Sequence, residues 1–246
     1  MIRTSAAFLT VVVFVVLLIG FGLFAWRTLV FAQPTPARFS SVQQAAVHDP
    51  SQIAELVAEK GSPEGGHDRM DDHSPLWYAV RFDKPESVAK LLALGADPNR
   101  ATEEGESPLL TATFLGTSNA DTEIVQMLLK AKADVNVRGP VHGQTPLHRA
   151  VVSENEAVVR MLIDHGANVN QVDVRGNTPL QTAVVNGSIP ILELLFEAKA
   201  DPEIRNEAGF RPIDQLNSCS NPEEVQAVFR KHDADSERRP PVKSND

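Results

Sequence analysis

The sequence predicts an all-α chain, a helical solenoid preceded by one transmembrane helix. Three observations carry this. A proline-led helix start recurs at Pro75, Pro108, Pro146, Pro179 and Pro212, with spacings of 33, 38, 33 and 33 residues. A second segment of helical apolar periodicity follows in the same phase. Residues 6–26, "AAFLTVVVFVVLLIGFGLFAW", run without a charge between Arg3 and Arg27.

The charge-free run comes first. As a helix its 21 residues would span about 31 Å, matching the hydrocarbon core of a bilayer. Fourteen of them are Leu, Ile, Val or Phe, and each favours insertion by about 0.3–0.6 kcal/mol at a helix centre. Trp26 stands where an interfacial aromatic belongs. The alternative is a cleaved signal peptide with "VFA" at 30–32 as its cleavage site. Against it, the run is longer than a usual signal h-region, and Arg27 lies between run and site. Residues 1–32 are therefore expected to form a membrane anchor or signal-anchor, with the lipid bilayer as partner of residues 6–26. Residues 33–38 follow as a linker. Flanking charge scarcely decides orientation, with Arg3 before the run and Arg27 and Arg38 after it. The short basic start places the solenoid on the extracytoplasmic side as an expectation.

The repeated unit explains itself locally. In "GQTPLHRAVV", residues 143–152, Thr145 is a good N-cap and Pro146 suits the first helical position, where its missing N–H costs nothing. Leu147 and Ala150 fall on one helix face. Gly143 permits the positive φ of a tight turn. "GNTPLQTAVV" at 176–185 repeats the device. The second motif reads "LLALGADPN" to Asn99, "LLKAKADVN" to Asn136, "LIDHGANVN" to Asn170 and "LFEAKADPE" to Glu203. Gly95 and Gly166 end two of these helices, and Lys132 and Lys199 take that place in the others. No single unit can bury its apolar face alone, and stacking gives one continuous core.

On these residues the sequence resembles ankyrin repeats, which share the 33-residue period and the Thr-Pro-Leu-His-x-Ala signature seen at 145–150. The resemblance covers residues 39–232, about six units with degenerate caps at both ends. Segment 39–61 keeps the two-helix pattern without Thr-Pro, and Ala45 and Ala46 stand in for the small pair. The last unit has Arg211 for Thr and ends in the polar helix "NPEEVQAVFRKH". The polar tail 233–246 is expected to be disordered. In the third unit five residues are added, four between its helices in "GTSNAD" and one in the loop "RGPVHGQ". The connection "GSPEGGHDRMDDH" departs from the family loop, with Asp72 in place of the turn glycine. The resemblance implies that His148 ties neighbouring loops by hydrogen bonds. Trp77, Leu110, Gln181 and Asp214 occupy its position elsewhere, which suggests a less regular array.

Composition narrows the function. A net charge of −9 argues against a nucleic-acid partner. No nucleophile elbow, zinc-protease pair, phosphate loop or paired C-x-x-C is present, so no enzymatic activity and no cofactor are expected. The single Cys219 lacks an evident activating partner. His67, Asp68, Asp71, Asp72 and His73 lie within seven residues and offer a divalent-metal alternative, though a loop rich in glycine supplies no rigid shell to gather them.

The resemblance implies a protein-binding scaffold, with partners meeting the end of each first helix and the hairpin tips on a concave face. The helix-end positions are Arg81 and Phe82, Phe114 and Leu115, Val152 and Ser153, and Val185 and Asn186. The tips bring Glu103, Glu104 and Glu106, then Val141, His142 and Gln144, then Val174, Arg175 and Asn177. Phe82, Phe114, Val152 and Val185 are expected to form an apolar stripe bordered by the three glutamates.

Overall fold

The computed structural model describes residues 41–64, 73–115 and 119–237. Among them the chain is helical, without a strand. Helices come in pairs. The first unit pairs α1 (Ser41–His48) with α2 (Ile53–Lys60), and the second pairs α3 (Pro75–Arg81) with α4 (Pro85–Ala93). Next come α5 (Pro108–Leu115) with α6 (Asn119–Lys130), α7 (Pro146–Val152) with α8 (Glu156–Asp164), and α9 (Pro179–Asn186) with α10 (Ile189–Glu197). The last unit departs from the pattern. Its first element, Pro212–Ser218, is a 3₁₀ helix, and α11 (Pro222–Glu237) follows. Each first helix packs on its own second helix and on the first helix of the next unit.

The start signal works as its residues dictate. Thr145 accepts the amide of His148, and Thr178 accepts that of Gln181. Ser74 caps Trp77 in the same way. Arg211 has no hydroxyl to offer, and the helix it precedes is 3₁₀. Second helices end in the left-handed region at Gly95, Lys132, Gly166 and Lys199, so the two lysines do adopt the glycine conformation. The extra residue in the loop after Arg138 is absorbed by His142 and Gly143, both with positive φ.

Buried Leu76, Leu109, Leu147 and Leu180, one per unit, line the seam beneath the first helices. Leu91, Leu128, Leu162 and Leu195 answer them from the second helices, giving one continuous core. A leucine interior of this kind is worth about 1.5–3 kcal/mol per side chain removed from water.

One expectation needs correction. Residues 233–237 continue α11, so the tail expected from 233 begins inside a helix. The substitutions for His148 divide. Trp77 Nε1 finds no partner and Leu110 has no side-chain N–H, so the array is less regular there as expected, whereas one substitution keeps the bond. Gln181 Nε2 donates to the Phe210 carbonyl at 2.8 Å, the bond that His148 Nε2 makes to Asn177 O at 3.0 Å. In the first unit Gln43, at the same helix position, donates to His73 O at 2.6 Å. A primary amide and a neutral imidazole both reach one helix radius with one N–H, so either serves.

Residues 6–26, with the anchor expected there, lie outside the described residues. No helix among those described is long and apolar enough to cross a membrane. His67, Asp68, Asp71 and Asp72 also lie outside, and among the described residues no group of His, Cys, Asp and Glu could hold a metal ion.

Candidate binding face

The ends of the first helices and the loops before them build one face. Phe114, Val152 and Val185 stand six residues after their prolines and are 53 %, 50 % and 41 % exposed. Such exposure at the same register of three consecutive units makes a row, which scattered surface apolar residues do not. Ser153 and Asn186, one residue further, turn back to the array. Ser153 Oγ donates to Thr113 O at 3.2 Å, and Asn186 Nδ2 donates to Val151 O at 3.2 Å. Leu115 closes α5, and its side chain lies outside the described residues.

Phe82 does not belong to this row. It lies seven residues after Pro75, one position out of register with the others, which rotates it by about 100° around the helix. Its ring stacks on Tyr78 at 6.1 Å and packs with Val47 and Trp77 in a small separate cluster. The residue in register is Arg81. Burial pushes its guanidinium below its ordinary value, and the charge of Glu106 opposes that shift.

Glu106 is not a free tip charge either. Arg149 holds it with both terminal guanidinium nitrogens, NH1 on Oε1 and NH2 on Oε2, and NH1 also donates to Leu110 O at 3.0 Å. The Arg149 side chain is 9 % exposed and that of Glu106 23 %. Leu110 occupies the position of His148 in its unit and has no N–H to give, and the Arg149 clamp crosses that same seam. Gly139 makes room for it, since a Cβ there would lie 2.8 Å from Arg149 NH2. The guanidinium also lies 5.8 Å from the centre of the Phe114 ring.

Of the remaining tip residues, Glu103, Glu104, Val141, His142, Val174 and Arg175 are exposed, and Gln144 and Asn177 half-buried. The tips are stitched through their backbones. Val174 N donates to His142 O and Glu207 N to Arg175 O, each at 2.9 Å. Gly176 permits the second contact, because a Cβ there would meet Glu207 N at 2.9 Å. His73 is engaged locally, its ring 4.2 Å from that of Trp77 and its Nε2 3.9 Å from Glu104.

A set of structural residues escaped the sequence reading. Asn99, Asn136 and Asn170 form a ladder along the outer turns. Each Oδ1 accepts the amide of the residue that opens the next turn, Asp134, Asn168 and Asp201, at 2.7–2.8 Å. Each amide nitrogen donates to the carbonyl of the next left-handed residue, Lys132, Gly166 and Lys199. Glu64 takes that place in the first unit, accepting from Asp97 N and Arg100. The recurring Asn, in phase with the left-handed residue before it, was the available signal.

At the far end the row meets a groove of about 500 Å³ where α9 faces the 3₁₀ helix. Val185 and Phe210 are its apolar walls, and Gln181, Thr182, Asp214, Gln215, Asn217 and Ser218 its polar lining. Asp214 is spent on Arg211, receiving its Nε at 3.2 Å and NH2 at 3.1 Å. Those bonds hold the Asp214 carboxyl below its ordinary value.

This geometry has relatives. A family model of ankyrin repeats, three copies long, matches residues 42–139 and again 113–206. The chain belongs to the ankyrin-repeat family. It is similar to Protein PhlB of Serratia liquefaciens, at 37 % identity over 136 residues, covering 51 % of this chain and 58 % of that protein. A putative ankyrin repeat-containing protein of Treponema pallidum is 38 % identical over 94 residues, 38 % of this chain and 30 % of its own length. The ankyrin repeat and KH domain-containing protein mask-1 of Caenorhabditis elegans is 30 % identical over 133 residues, 54 % of this chain and 5 % of its own. The chain thus spans less than two thirds of each of these relatives. Ankyrin repeats are protein-interaction modules.

Proposed function

We propose that this chain is a membrane-tethered scaffold that binds a protein partner on the inner face of its ankyrin array, without bond-making chemistry. The observation that supports it most is the in-register row Phe114, Val152 and Val185, exposed while the same helices bury their leucines. Solvated helix ends do not need large apolar side chains, and a preformed apolar row lowers the ordering cost of binding. Tethering rests on the charge-free run 6–26, and placement of the array outside the cytoplasm on the short basic start before it.

The test compares the full-length chain with a Phe114→Ser, Val152→Ser, Val185→Ser variant, both in native membranes. Covalent crosslinking followed by mass spectrometry should find a protein held by the first and lost from the second, with equal thermal melting of the two arrays. Identical crosslinked sets would overturn the inner-face reading.

A further inference from the structure

We infer that the groove between α9 and the 3₁₀ helix Pro212–Ser218 seats an uncharged, extended segment of the protein partner, gripped by side-chain amides and hydroxyls around one aliphatic residue. This rests on the reading of the array as a protein-binding scaffold and narrows it to one subsite and one chemistry.

The groove begins with the sequence of the last unit. Arg211 stands where the other units have Thr or Ser, and the element after it winds as a 3₁₀ helix. Three residues per turn set Asp214 over Asn217 and Gln215 over Ser218, in columns that an α-helix would stagger. The opening opposite α9 is about 500 Å³ and lies open to solvent, a shape that admits a segment of chain lying along it.

Charge decides what fits. The chain carries a net charge of −9, yet the only ionised residue in the groove lining is Asp214. Three donors of Arg211, its backbone N–H, Nε and NH2, already hold that carboxylate, and Arg205 NH1 lies 3.8 Å away. A charged side chain entering here would meet one carboxylate whose bonds to Arg211 are already made, so the lining offers it no free counter-ion. The side chains of Thr182, Gln215, Asn217 and Ser218 make no hydrogen bond among the described residues. They offer both donors and acceptors, the complement of an extended peptide backbone. Val185 at 41 % and Phe210 at 50 % exposure face the same space and suit one aliphatic side chain between them. By contrast, Asn177 and Gln181 are already used, by Asn206 and by the Phe210 carbonyl.

The experiment pans a phage-displayed library of random dodecapeptides on the full-length chain in detergent micelles. Selected peptides are then measured against three variants: Val185→Ser with Gln215→Ala, Phe210→Ala, and the row variant Phe114→Ser with Val152→Ser. Far-ultraviolet circular dichroism and melting confirm that each is folded. The expected peptides share an uncharged stretch with an aliphatic residue. They weaken at least about tenfold on the first two variants, and change less than about twofold between roughly 50 and 500 mM salt. Peptides carrying a required charge, with steep salt dependence, would overturn the neutral groove. Peptides lost only on the row variant would overturn the groove while leaving the inner-face scaffold standing. Recovery of no peptide that depends on any of the three variants would overturn both.

Discussion

Arg149 reaches across the seam to Glu106, 43 residues earlier, and closes a two-nitrogen clamp over the Leu110 carbonyl. The units on either side are thereby joined where the ladder of His148-type bonds is interrupted. A tip residue of this kind is structure, even though its position in the loop is one that binding surfaces use.

Removing one partner of the clamp should therefore be expensive. Glu106→Ala leaves a nearly buried guanidinium without its anion and is expected to cost about 2–4 kcal/mol. Glu103→Ala, at an exposed tip position, should cost less than about 0.5 kcal/mol. Urea denaturation of both variants checks this, and equal midpoints would show that the clamp contributes nothing.

His148 gives the array an acid limb. Its Nε2 faces a carbonyl, which only accepts, so Nε2 carries the proton and Nδ1 is left to accept from Thr145 N. Burial pushes the imidazole below its ordinary 6.5, while the bond to Asn177 pulls the other way. The unfolded chain therefore binds a proton that the folded one refuses. The resulting stability is fully present above about pH 6.5 and is lost as pH falls from there through the depressed folded value. His148→Gln copies Gln181, keeps the bond to Asn177, and should flatten this part of the pH–stability curve at a cost below about 1 kcal/mol near pH 7.5. Parallel curves for the two proteins between pH 7.5 and 5 would refute the assignment.

The asparagine ladder is exposed, so its bonds should be individually small. Asn136→Ala removes the acceptor of Asn168 N and the donor to Gly166 O, and is expected to cost about 1 kcal/mol. Hydrogen exchange should localise the effect, with faster exchange at the Asn168 amide and no change at Asn99. A uniform change along the array would argue against nearest-neighbour coupling of the units.

Membrane tethering makes its own demand. If residues 6–26 span a bilayer, the full chain should resist extraction by alkaline carbonate, and a chain starting at residue 33 should not. In intact cells the array should then be open to protease added outside and sealed in right-side-out vesicles only when the expected orientation is reversed. Extraction of the full chain by carbonate would remove the tether.

Sequence alone determined the repeat. The prolines at near-fixed spacing, with a hydroxyl before and a leucine after four of the five, are local devices, and a helix start is made by residues that touch within one turn. It also put Phe114, Val152 and Val185 at helix ends, since register counts from the proline. Three things waited for the tertiary structure. Phe82 is turned off the row because one residue is more than a quarter-turn of helix, and its ring packs on Tyr78. Glu106 is consumed by Arg149 because two residues 43 apart meet only after the units stack. Gln43 and Gln181 do the work of His148 because the acceptor is a carbonyl on the next unit, and a carbonyl takes an N–H from either side chain at the right reach. Local chemistry writes each unit, and the contacts between units decide which of its side chains remain to meet a partner.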